Sequence, residues 1–189
     1  MNPGLNEQII DLICEYEDII ARAQRLVART SDAAFVRPPA PHRWSPAECI
    51  AHLIIANDAY APGLRKAIAA AKELSPATRP YRRDIVGYLT SRRLEPTPKS
   101  ARTTPEHSDT VHLKPRSETL AAYVKSQREL QFLAWDAAGL DLEAVKFASP
   151  FNPSVKYNTY SAFRVLGALG RRHLAQAEAA TGDSRLATA

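Results

Sequence analysis

Apolar positions recur along this chain mainly at spacings of three and four, the period of an α-helix. Ile9, Ile10, Ile13, Tyr16, Ile20, Ala23 and Val27 form such a stripe and predict a first long helix over residues 6–29. Pro38, Pro39 and Pro41 then bar any helix before Arg43. A second long helix is expected over 46–74, opened by Ser45-Pro46-Ala47-Glu48. In this capping box Ser45 accepts from the Glu48 N–H and Glu48 reaches back to the Ser45 N–H, while Pro46 loses nothing at the first helical position. Trp44 precedes the cap and is placed to staple onto the first turn. The stripe continues through Cys49, Leu53, Ala56 and Tyr60, and Pro62-Gly63 is expected to kink or divide it.

A third long helix is expected over 117–138, capped by Ser117 and stopped by Gly139, with Leu120, Tyr123, Val124, Gln127, Leu130 and Leu133 in helical register. A further turn is expected over 141–147. The fourth helix runs over 159–181, closed by Gly182, with Phe163, Leu166, Leu169, His173, Gln176 and Ala177 on one broad face. No segment alternates clearly as a strand; 146–149 and 155–157 are the only weak candidates. Four long helices with one long connection, residues 75–116, predict an all-α four-helix bundle forming a single domain over 1–189.

Composition narrows the picture without changing it. In 189 residues, 45% are hydrophobic and 24% charged, which suits a globular chain with its own core. Two cysteines, Cys14 and Cys49, give neither a disulfide framework nor a cysteine zinc site and read as small buried hydrophobes. No signal-peptide pattern and no membrane-length apolar run is evident, which points to a cytoplasmic protein without membrane contact.

The net charge of +5 is confined to the connection. Residues 75–116 hold nine Lys or Arg against four acids, and sixteen of each remain elsewhere. The segment also carries six prolines and reads as an irregular crossover with one short helix over 84–92. Few aromatics and no nucleic-acid motif accompany the charge, so a solvated loop is favoured over a nucleic-acid surface.

His42, His107 and His112 fall in proline-flanked loops, whereas His52 and His173 fall on or beside the apolar faces of two helices. In a bundle such faces meet in the core, where metal and ligand sites are built. A catalytic metal usually takes three protein ligands, and two histidines are one short. Glu48 lies one turn before His52, although the cap competes for it. Asp58 and Glu178 lie at plausible heights but are expected to point away. The chain has no phosphate-binding glycine loop and no nucleophile elbow.

Trp44-Ser45-Pro46-Ala47-Glu48-Cys49-Ile50-Ala51-His52-Leu53 resembles the second-helix signature of the DinB-like (YfiT-like) superfamily, and Arg172-His173-Leu174-Ala175-Gln176 its fourth-helix signature. The resemblance extends over about residues 8–182. It implies up-down-down-up topology, with the long crossover between the second and third long helices, and a homodimer. It also implies a nickel or zinc ion held by three histidines, and thiol S-transfer (with bacillithiol or mycothiol), isomerisation or hydrolysis. His52 and His173 match two of the ligands, but the third position holds Leu169. The expectation is therefore a metal-free or weakly metal-binding member with a small-molecule pocket lined by Glu48, His52, Leu169, His173 and Gln176. The alternative is a metal-dependent thiol S-transferase or hydrolase using His52 and His173.

Overall fold

The computed structural model describes residues 7–74, 80–96 and 114–182. Among these residues the chain forms six helices and one two-stranded sheet: α1 Glu7–Arg29, α2 Asp32–Val36, α3 Pro46–Ala70, α4 Ile85–Leu94, α5 Arg116–Asp136, β1 Lys146–Ser149, β2 Asn152–Asn158 and α6 Thr159–Thr181. The four expected long helices are α1, α3, α5 and α6. No described helix is long and apolar enough to cross a membrane.

Side-chain pairs give the relative directions of the long helices. Tyr16 Oη donates to the Phe163 carbonyl at 2.8 Å, and Arg22 pairs with Glu178 at 2.7 Å, so α1 and α6 run the same way. Gln131 donates to the Ile13 carbonyl while Arg116 donates to the Val27 carbonyl, so α5 opposes α1. The Tyr60 and Tyr157 hydroxyls meet at 2.6 Å near the start of α6, whereas His52 meets His173 near its end, so α3 opposes α6. Between the four helices lies one apolar core built around Tyr16, Ile19, Phe35, Leu53, Tyr123 and Phe163.

Several local expectations are corrected. α3 ends at Ala70 rather than at 74 and passes through Pro62 without a break. Leu53, Tyr60, Ala61 and Leu64 are buried on both sides of Pro62, and this packing outweighs one lost backbone hydrogen bond. α5 starts at Arg116 with Pro115 at the cap position and no side-chain cap, so Ser117 does not serve there. The 141–147 segment makes a turn and then enters β1 instead of adding helix. The weak strand candidates do pair: β1 and β2 are antiparallel, with Phe147 opposite Tyr157 and an irregularity between Ala148 and Ser149. Ile10 and Cys14 face solvent rather than the core. The short α2, capped by Ser31 accepting from the Ala34 N–H at 3.2 Å, carries too few residues to show a period.

Only part of the crossover lies within the described residues. Its short helix is α4, opened by Asp84, whose carboxylate accepts from the Gly87 N–H at 2.9 Å. α4 rests on the start of α6, and a Cβ at Gly87 would collide with Ser161, so glycine is what allows this approach. Part of the basic excess proves structural. Arg116 donates to the Val27 and Thr30 carbonyls at the end of α1 and pairs with Asp32 at 2.7 Å. It thus satisfies carbonyls that a helix end leaves open.

Candidate functional site

The capping box forms as expected. The Ser45 N–H donates to the Glu48 carboxylate at 2.7 Å, and the Glu48 N–H donates to Ser45 Oγ at 3.3 Å. This pins the first turn of α3, so Trp44 is held just outside the helix and His52 within its second turn. Because α3 and α6 run in opposite directions, His52 comes level with His173 near the other helix's end. The two imidazole rings sit edge to face with centroids 4.6 Å apart. The Trp44 indole covers both, at 4.9 Å from His52 and 5.5 Å from His173.

A fourth ring comes from the hairpin. Phe147 stacks on Tyr60 at its base, and Phe151 at its tip reaches back along α3 to lie 6.1 Å from Tyr60 and 6.3 Å from His52. The result is an aromatic box around two histidines. His52 is 8% exposed and His173 4%, whereas Phe151, on the outside, is 45% exposed. Sequence reasoning assigned Trp44 to the cap alone and did not find Phe151.

Burial pushes His173 down from 6.5 to about 3, helped by His52 and Arg172 and opposed by a hydrogen bond with Gln176. His173 is therefore a neutral imidazole at physiological pH. Its Nδ1 and the Trp44 Nε1–H are both buried with no hydrogen-bond partner among the described residues. Two such groups left unsatisfied are costly, and a buried site of this kind calls for a ligand or water to complete it.

A folded-state pKa below the unfolded value means the proton binds the unfolded chain more tightly. The stability gained from neutral His173 is fully present above about pH 6.5 and is lost as pH falls toward about 3. Replacement by leucine removes this dependence. Between pH 7 and pH 5 the native chain should lose about 1–2 kcal/mol more stability than His173→Leu. Urea unfolding at both pH values measures the difference, and equal losses would contradict it.

The other predicted residues divide clearly. Leu169 is buried one turn before His173 and offers no donor atom to a metal. Gln176 reaches His173, while Glu48 is engaged by its cap. Glu178 turns to Arg22, away from the histidines, as expected. Cys49 is buried and its thiol is pushed up to about 12 by that burial, so it carries no nucleophile. His42 is exposed in a loop with φ of 60°, and His107 and His112 lie outside the described residues. Among the described residues no three His, Cys, Asp or Glu side chains come together to hold a metal. The described residues around the histidine pair thus do not supply a three-ligand metal centre. Among the described residues, the open clefts beside α2, beside α4 and between α1 and α5 are lined by other residues and do not include the histidines.

A search of curated proteins and of solved structures finds no match to this chain. The family model of the DinB superfamily matches residues 15–177, a span that takes in the cap, both histidines, the crossover and the hairpin. The chain belongs to the DinB superfamily.

Proposed function

We propose that this chain is a DinB-superfamily protein that binds a small molecule at the His52–His173 pair without a bound metal. The four long helices would form the up-down-down-up bundle, a reading supported by the pairings of α1 with α6 and α5 and of α3 with α6. The observation that carries the functional reading is the aromatic box itself. Two histidines converge under Trp44, a buried leucine occupies the third ligand position, and polar atoms of His173 and Trp44 lack partners among the described residues. A fitting ligand is small and flat. It accepts a hydrogen bond from the Trp44 indole, exchanges one with His173, and displaces Phe151 to enter.

Thermal denaturation with a panel of small neutral aromatics that can accept a hydrogen bond (phenol, benzamide, 2-pyridone) tests this reading. A rise in Tm that disappears in Trp44→Phe, which keeps a ring and deletes the N–H, supports it. No rise with any member, or an equal rise in the variant, counts against it. The metal content of protein purified without chelator and offered nickel and zinc is the companion measurement. Near-stoichiometric metal that His52→Ala abolishes would overturn the metal-free reading in favour of thiol S-transfer or hydrolysis.

A further inference from the structure

A second site lies away from the histidines, at the opposite end of α6. The start of α1, the irregular stretch before α4, the first turns of α4 and the start of α6 enclose an open cleft of about 820 Å³. Its floor is rigid. Tyr81 and Tyr160 stack with centroids 5.2 Å apart, and both are nearly buried. Gln8 fastens Tyr81 through its backbone, accepting from the Tyr81 N–H at 2.6 Å and donating to the Tyr81 carbonyl at 3.0 Å. Tyr81 Oη donates to the Leu140 carbonyl at 2.8 Å.

The rim is apolar and open to water. Ile85 is 78% exposed and Leu89 58%, an unusual exposure for two aliphatic residues side by side on one short helix. Three guanidinium groups surround the cleft. Arg83 lies 4.9 Å over the Tyr88 ring and donates to Ser91 Oγ, while Arg164 is held by Glu15 at 2.8 Å. Arg82 lines the cleft with no side-chain partner among the described residues. Asp11 is the only acid in the lining.

We propose that this cleft binds a small organic anion with a flat apolar body. The body would lie on the Tyr81–Tyr160 floor and cover Ile85 and Leu89. The anionic group would be taken by Arg82, with Arg83 and Arg164 supplying field. Arginine suits this role because its planar fork matches a carboxylate, sulfonate or phosphate. The preformed floor lowers the ordering lost on binding.

The probe is anilinonaphthalene sulfonate, followed by fluorescence, with the uncharged N-phenylnaphthylamine as its neutral counterpart. The native chain should bind the sulfonate at least tenfold more tightly than the neutral probe. Arg82→Glu should weaken sulfonate binding by about tenfold or more and leave the neutral probe unaffected. Lys66→Glu, at an exposed position of α3 that lines none of these clefts, serves as the control for loss of general positive charge and should change neither. Equal binding of the two probes, or equal losses in both variants, would overturn the proposal. So would a sulfonate signal unchanged in Arg82→Glu. Both substitutions are at exposed positions, and matching helical circular dichroism confirms that the fold is retained.

Discussion

Leu169→His should turn a chain with two converging histidines into one that binds nickel or zinc at about one ion per chain. Residue 169 lies one helical turn before His173 on α6, and its side chain is buried. A histidine there shares a face with His173, because residues four apart stack along a helix. His173 itself needs no deprotonation at neutral pH, since burial already holds it neutral. Three imidazoles with an open fourth position make a complete set for these ions. Supplying a missing first ligand should raise affinity by about 100-fold or more, given that even outer partners alter affinity by about 10–100-fold. Competition against a chromogenic chelator measures this, and His52→Ala in the same background should reverse it. A Leu169→His protein that is folded yet binds no more metal than the native chain would show that position 169 does not face the pair.

Arg22→Met should destabilise the fold markedly although the side chain is partly exposed. Arg22 holds Glu178 through two hydrogen bonds, Nε to Oε1 at 3.1 Å and Nη2 to Oε2 at 2.7 Å. The Glu178 side chain is only 6% exposed, so removing the arginine leaves a carboxylate that water reaches poorly. Breaking one side of such a pair costs about 2–4 kcal/mol, mostly as uncompensated charge. The double change Arg22→Met/Glu178→Leu replaces both partners by apolar groups and should recover most of the loss. Urea denaturation of the two variants separates this account from a simple packing effect. If the double variant is as unstable as the single one, the buried charge is not the cause.

What was legible in the sequence was local. Ser45 and Glu48 are three residues apart, so their reciprocal bonds follow from the motif itself. The stripes of the long helices are repeated often enough to survive individual errors such as Ile10. The misses come from contacts that span the chain. Pro62 reads as a kink or a division, and the division does not occur because of helices packed on α3 that cannot be seen from its own neighbourhood. The hairpin buries only a few positions, Phe147, Ser149, Tyr157 and Asn158, which leaves little alternation to detect. Arg116 sits 86 residues from the Thr30 carbonyl it satisfies, and no local pattern marks it. That His52 and His173 fall on helix faces meeting in the core was readable from the stripes, and the resemblance added that they belong to one site. Trp44 and Phe151, which enclose them, had no signal of their own in the site.

The hairpin also separates two kinds of constraint that most bundle sites combine. Trp44, His52 and His173 belong to elements that hold the core, so changes there risk the fold. Phe151 sits on an exposed tip between Pro150 and Asn152, whose side chains face solvent. Substitutions in such a tip are tolerated far better than in the helices it touches. The outer wall of the box is therefore the part open to variation. Under the proposed reading, a lineage could alter which molecules enter by changing one aromatic residue at a turn, while the histidine pair and the bundle beneath it stay as they are.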